Sequence, residues 1–427
     1  MVDEIVLAIE SVGVRGDGVA HHDGKPIYVP FVAPGDRVRV RLSTEKGERR
    51  GEIVELLVAG ARAAPVCAHF GACGGCALQH LSAEAYAAAK LGWLRGALAQ
   101  HGFTNVDIAP LRRLAPGTRR RARLALARDG DALAGFHGRM SHAIVDMREC
   151  HVLHPALFAL VEPLRRLAAA LLPKKGTAAA SLTLGDAGVD VLLELPKVPG
   201  LEALEALARF AAEQDLARLS WRADHAFAPV AQRRPVRAVF AGVAVDLPAD
   251  AFLQASSEAD AVLAALVLDA VGTPRRVAEL YAGVGTFSFA LAARAPVHAV
   301  EGNAEAAKAL GQAAARANLS DRVTVERRDL ARRPLSAEEL ARFDAVVFDP
   351  PRTGAAAQSR ALAASAVPRV VAVSCNPATF ARDARVLADG GYALAHVAPV
   401  DSFVWSPHLE LVARFERRQS RIYNESR

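Results

Sequence analysis

The sequence predicts a multidomain chain of three parts: a small N-terminal β-barrel of the oligonucleotide-binding type, a central α+β domain, and a C-terminal α/β domain with a Rossmann-like sheet. Three observations predict it. The first sixty residues hold short alternating stretches between glycine turns; Cys67, Cys73 and Cys76 share one loop; and from residue 251 short apolar runs alternate with helical stretches. A chain of 427 residues is long enough to bury a core in each part.

Residues 1–60 make the barrel. Ile5, Leu7 and Ile9 alternate, Gly16-Asp17-Gly18 turns, Ile27 to Val32 form a short strand, Pro34-Gly35-Asp36 turns into Val38 to Leu42, and Gly51 to Leu57 supply another. Closure removes the exposed edges that such short strands would leave. The module serves either as an RNA contact or as a structural cap, and topology does not choose between them.

Residues 61–250 make the central domain. Cys150 joins the three clustered cysteines only after a basic segment that holds Arg112, Arg113, Arg119, Arg120, Arg121 and Arg123. Thiolates bind soft metals and iron–sulfur clusters, and Gly71, Gly74 and Gly75 let the loop turn backbone amides toward sulfur. Structural zinc is the competitor, but zinc sites more often present two short-spaced pairs, so a [4Fe-4S] cluster fits better. An alanine-rich amphipathic helix is expected near 82–101, with the catalytic domain as a candidate for its packing. Strands are expected at Arg121 to Ala127 and Val189 to Leu195, and a helix at Leu201 to Glu213. In the first of these strands arginine alternates with Ala122 and Leu124, so one face presents guanidinium groups to phosphates while the other packs inward.

Residues 251–427 make the catalytic domain. The strand Val277 to Leu280 runs into Tyr281-Ala282-Gly283-Val284-Gly285-Thr286-Phe287 and then a helix to about Arg294. Glu301 ends the next strand, where an acid meets the ribose hydroxyls of a bound nucleoside. One Gly-x-Gly without the longer dinucleotide fingerprint favours S-adenosylmethionine over NAD. Further strands are expected at Val323 to Glu326, Phe343 to Phe348, Val370 to Val373, Ala393 to Val397 and Leu409 to Phe415, in a parallel sheet. Asp329, Asp349 and Cys375 follow the third, fourth and fifth strands, so reactive groups gather on one edge.

That edge implies a chemistry. Asp349-Pro350-Pro351-Arg352 resembles the acid-Pro-Pro-aromatic turn of amino-methyltransferases, but Arg352 replaces the aromatic, and Cys375 ends the neighbouring strand. A thiolate that adds at C6 of uracil makes C5 nucleophilic toward a methyl donor. The reaction then needs a base for the C5 proton, and Glu410 at the entrance of the last strand is the candidate. A net charge of +6 leans toward an anionic partner. The acidic start of the chain and the lack of an apolar span long enough for a membrane helix predict a soluble, cytoplasmic protein, and five cysteines read as ligands or catalysts rather than a disulfide framework.

The N-terminal run resembles the TRAM domain of RNA-modifying enzymes. With CAHFGACGGC, TRRRARL, FLQAS, LYAGVGTF, AVEGN, DPPR, SCNP and HLE in order, nearly the whole chain resembles the TRAM-containing, iron–sulfur RNA uracil-5-methyltransferases, most closely those acting on 23S ribosomal RNA. The resemblance implies a class I methyltransferase fold at the C-terminus, with Cys375 as nucleophile and Glu410 as proton acceptor. It implies S-adenosylmethionine at Gln254, Tyr281, Gly283, Gly285, Thr286, Glu301, Asp329 and Asp349, and a [4Fe-4S] cluster on Cys67, Cys73, Cys76 and Cys150. RNA contacts are expected from Phe252, Arg120, Arg121, Arg123 and Arg352, with Phe252 stacking on a flipped base. The partner is RNA, ribosomal before transfer RNA; the alternatives are a tRNA uridine methyltransferase, an amino-methyltransferase, and a noncatalytic RNA-binding iron–sulfur protein.

Overall fold

The computed structural model describes residues 4–418; residues 1–3 and 419–427, at the ends of the first and third expected domains, lie outside them. The chain forms two compact units. One comprises Met1–Leu94, Arg113–Val236 and Ser402–His408, the other Arg95–Arg112, Arg237–Asp401 and Leu409–Arg427. No helix among the described residues is long and apolar enough to cross a membrane.

The first unit holds two sheets. Six strands run in the order Glu4–Ala8, Arg37–Glu45, Glu48–Val58, Lys25–Val29, Gly18–His22 and Ser11–Val12. The two outermost strands are consecutive in sequence, so the sheet curls back on itself. Between them, Ile9 N–H donates to the Asp36 carbonyl and Glu10 N–H to the Val19 carbonyl. Leu7, Ile9, Ile27, Val29, Val38 and Val40 fill the interior, as the alternation requires.

The second sheet has seven strands, in the order Ile144–Asp146, Asp131–His137, Arg121–Asp129, Gly176–Gly185, Gly188–Glu194, Arg218–Ala223 and Ala226–Gln232. Its one parallel pair, Gly188–Glu194 with Arg218–Ala223, is joined through the helix Leu201–Glu213, which has the bounds read from the sequence. Leu124, Leu182, Val191 and Leu219 point from one face into a core with Leu164, Leu207 and Phe210. Arg121 pairs with Thr183 and Arg123 with Ser181 in the register, so both arginines share the other face.

The helix Ala83–Gln100 buries Tyr86, Lys90, Leu94 and Leu98, one residue per turn. Its inner stripe is therefore not apolar throughout, as the expected amphipathic pattern requires. Lys90 reaches the carbonyls of Phe403, at 3.3 Å, and His408, at 2.7 Å, and its ammonium lies over the Tyr86 ring.

An eight-stranded sheet runs Val323–Arg327, Val297–Glu301, Val277–Leu280, Ala345–Phe348, Arg369–Ser374, Glu410–Arg417, Tyr392–Asp401 and Arg112–Arg113, the first seven strands lying in the second unit. The first five are parallel to one another. The expectation of a wholly parallel sheet fails at the sixth: Glu410–Arg417 inserts between Arg369–Ser374 and Tyr392–Asp401, antiparallel to both. The reason is the connection, which is too short for a crossover helix and returns as a hairpin. The helix expected to reach Arg294 is also shorter, Ser288–Ala292.

Candidate active site

The parallel strands bring the expected residues to one edge. Tyr281 follows Val277–Leu280, Glu301 ends Val297–Glu301, Asp329 lies just beyond Val323–Arg327, and Asp349 and Cys375 follow Ala345–Phe348 and Arg369–Ser374. Tyr281 takes a left-handed φ of 62°, which a bulky side chain adopts only where its surroundings impose it. Gly283 and Gly285 also have positive φ, but they differ in space. A Cβ at Gly285 would stand 2.5 Å from Leu310 Cδ1, whereas at Gly283 it would meet nothing within 4 Å. Gly285 thus packs the turn and Gly283 leaves its backbone open, with Thr286 half-buried beside them.

Glu301 accepts from Gly283 N–H at 2.8 Å and from Asn303 N–H at 2.6 Å, which leaves lone pairs on both oxygens for a ligand's hydroxyls. Asp329 is exposed and accepts from Ala331 N–H at 3.0 Å. Gln254 Nε2 donates to Asp349 Oδ2 at 3.2 Å, and burial holds the Asp349 carboxyl up at about 7 although part of the residue reaches solvent. Beneath them lies Glu279, an acid inside an apolar strand. It is 2% exposed, it accepts from Ser288 Oγ, and its Oε1 has no partner. Burial pushes its carboxyl up to about 8. These half-satisfied carboxyls and the open glycine backbone suit a ligand that brings hydroxyl and amino donors.

Cys375 is half-buried. Burial, then the charges of Asp349 and Glu410, raise its thiol above the ordinary value, and Arg352, which hydrogen-bonds the thiol, opposes them. Arg352 is exposed, and this contact with Cys375 was not foreseen in its assignment to RNA. Glu410 is 3% exposed and opens the antiparallel strand. Because Ser374 pairs with Leu411, the next step of the register sets Cys375 opposite Glu410. Phe252, two residues before Gln254, is 65% exposed.

The first unit carries the remaining candidates. Cys67, Cys73, Cys76 and Cys150 line one cavity of about 220 Å³ together with Phe70, Phe136, Pro407 and His408. Burial pushes the Cys76 thiol up to about 12, and Gly75 N–H points at Cys73 Sγ at 3.4 Å. Among the described residues no group of three or more His, Cys, Asp or Glu side chains is placed to hold a metal ion. Of the basic residues, Arg123 is exposed and pairs with Glu194, Arg121 is half-buried, and Arg120 is 8% exposed. Arg120 precedes the strand and does not join the face that its neighbours share.

Comparison with known proteins gives this geometry a context. The family described as tRNA (Uracil-5-)-methyltransferase matches residues 243–418. An uncharacterised RNA methyltransferase of Brucella melitensis is 42% identical over 95% of this chain and 96% of its own. The 23S rRNA (uracil(1939)-C(5))-methyltransferase RlmD of Chromohalobacter salexigens is 37% identical over 95% of this chain and 87% of its own. Among solved structures, the tRNA (uracil-54, C5)-methyltransferase of Pyrococcus abyssi, in complex with S-adenosyl-L-homocysteine, has a TM-score of 0.74 at 24% identity and covers 96% of this chain and 99% of its own. That likeness concerns the fold, whose C-terminal part is that of a class I methyltransferase.

Proposed function

The chain belongs to the tRNA/rRNA (uracil-5-)-methyltransferase family, and on that basis we propose that it methylates C5 of one uridine in 23S ribosomal RNA through a covalent bond between Cys375 and C6. It is an S-adenosylmethionine-dependent RNA uracil-5-methyltransferase. Ribosomal RNA is favoured over tRNA because the RlmD relative matches nearly the whole chain.

The observation that carries the mechanism is the register Ser374↔Leu411, which continues to a thiol opposite a buried carboxylate. The Cys375 thiolate adds to C6 of uracil, and the ring electrons collect as an enolate with a nucleophilic C5. Bound S-adenosylmethionine supplies an electrophilic methyl group. Once C5 carries the methyl, Glu410 accepts the C5 proton, the C–H electron pair re-forms the C5–C6 double bond, and the thiolate leaves. Phe252, exposed and close in sequence to Gln254, stacks on the extruded base.

Gln254, Tyr281, Gly283, Gly285, Thr286, Glu301, Asp329 and Asp349 hold S-adenosylmethionine: Glu301 takes the ribose hydroxyls, Gly283 gives the ligand access to backbone, and Gly285 packs the turn that supports it. Cys67, Cys73, Cys76 and Cys150 hold a [4Fe-4S] cluster. Four cysteines lining one cavity are a donor set that would suit such a cluster. Arg121, Arg123 and the curled N-terminal sheet, read as a TRAM barrel, contact RNA backbone, and Arg120 contributes only if it leaves its buried place.

The test is tritium release from RNA labelled at uracil C5, with 23S fragments and tRNA offered separately. Release from the 23S fragment, abolished in Cys375→Ala while that variant still binds S-adenosylmethionine, is the expected result. Undiminished release in Cys375→Ala would refute the covalent mechanism, and release from tRNA alone would reassign the substrate.

A further inference from the structure

We propose that Asp383 is a positioning residue for the nucleophile: through the loop of residues 352–355 it holds the Arg352 guanidinium against the Cys375 thiol. This rests on the reading of Cys375 as the group that adds to uracil. The helix Pro377–Asp389 begins two residues after Cys375, and Asn376, Thr379, Arg382 and Asp383 recur at the spacing of successive turns, so they share one side of it.

All four grip the same loop. Asn376 Nδ2 and Thr379 Oγ1 both donate to the Arg352 carbonyl at 3.1 Å. Arg382 Nη2 donates to the Thr353 carbonyl at 3.0 Å, and Ala355 N–H donates to Asp383 Oδ2 at 2.6 Å. Asp383 is 3% exposed, and its second oxygen accepts from Arg382 Nε at 2.9 Å and Nη2 at 2.8 Å. It therefore holds one end of the loop directly and aims the side chain that holds the middle. Gly354 has φ +79°, and a Cβ there would stand 2.5 Å from Asp383 Oδ2, so the loop lies flush on the carboxylate.

The consequence reaches the thiol through Arg352. The charged groups that face Cys375 are Asp349 and Glu410, which disfavour its thiolate, and Arg352, which favours it. A guanidinium on a long flexible stem stays at one atom only where its backbone is fixed, and here the Arg352 carbonyl has two donors from the helix that Cys375 introduces. The charge of Asp383 also adds to burial in raising the Tyr281 hydroxyl to about 12. One buried carboxylate thus links three strand ends.

The test uses the full-length protein without RNA. Alkylation of Cys375 by iodoacetamide is followed against pH by peptide mass spectrometry, which separates it from the other four cysteines. Asp383→Ala is expected to slow alkylation at pH 8 about fivefold to tenfold and to move the pH midpoint upward, as withdrawal of a neighbouring cation does. Arg352→Gln is expected to do the same, and the double variant to be no slower than Arg352→Gln alone. Thr379→Val, which removes one donor to the Arg352 carbonyl, is expected to shift the profile the same way by less.

A wild-type profile in folded Asp383→Ala, or in Thr379→Val should the first variant not fold, overturns the proposal. So does an Asp383→Ala effect that persists undiminished in the Arg352→Gln background. The measurement needs no methyl transfer, so its failure is distinct from failure of the C5 reading, which would appear as absent tritium release.

Discussion

At the scale of single residues, the surroundings of the proposed nucleophile disfavour its thiolate. Burial and two neighbouring carboxylates hold the Cys375 thiol up, so its thiolate fraction in the free enzyme grows with rising pH well past neutrality. Such a thiol is protected from adventitious oxidation, and Arg352 is the cation at hand when it must ionise. Glu410, as the proposed base, would have a separable task. In Glu410→Gln the addition and methylation steps survive but the C5 proton has no acceptor. A covalent protein–RNA complex should therefore accumulate on a denaturing gel while tritium release falls by about 100-fold or more. If no complex accumulates and turnover persists, another group removes the proton.

At the scale of elements, the turn Tyr281–Phe287 divides its labour between two glycines. Gly285 has φ +99° and no space for a methyl group, so Gly285→Ala combines backbone strain with overpacking against Leu310 and should cost ~3 kcal/mol or more. Gly283 has φ +57° and open space, so Gly283→Ala should cost only about 1 kcal/mol. On the proposed assignment its methyl group would stand where the cofactor approaches the backbone, so binding should suffer more than folding. Thermal unfolding and S-adenosylmethionine titration of the two variants separate these effects. Equal loss of affinity at equal stability would contradict the division.

At the scale of the whole molecule, the two proposed sites fall in different units. The four cavity cysteines fall within the first unit's segments and every residue assigned to S-adenosylmethionine within the second's. Cys76 is the thiol that burial raises most clearly, and a thiolate so placed is costly unless it is metal-bound. Cys76→Ser should abolish iron incorporation and lower the stability of the first unit by ~3 kcal/mol or more, while S-adenosylmethionine affinity changes by less than about twofold. Iron content equal to wild type would remove Cys76 from the ligand set.

Much of this was legible without coordinates, because the signals are local. Strand-then-turn patterns mark Val277–Leu280 and its glycines, alternation marks Arg121 and Arg123 against Leu124, and helical period marks Leu201–Glu213 to the residue. The loop spacing of Cys67, Cys73 and Cys76 matches their place along one cavity. What sequence could not supply were relations between segments far apart in the chain. Glu410 comes opposite Cys375 because its strand inserts antiparallel between two others, and strand direction depends on hydrogen-bond partners that no local pattern specifies. Lys90 lies in a buried helix stripe because carbonyls more than three hundred residues away receive its ammonium. Asp383 reads in the sequence as one more helix charge; only the packing of the 352–355 loop on that helix gives its carboxylate a purpose. Local periodicity determined the elements and the order of the motifs, and tertiary hydrogen bonding decided which of their side chains act on one another.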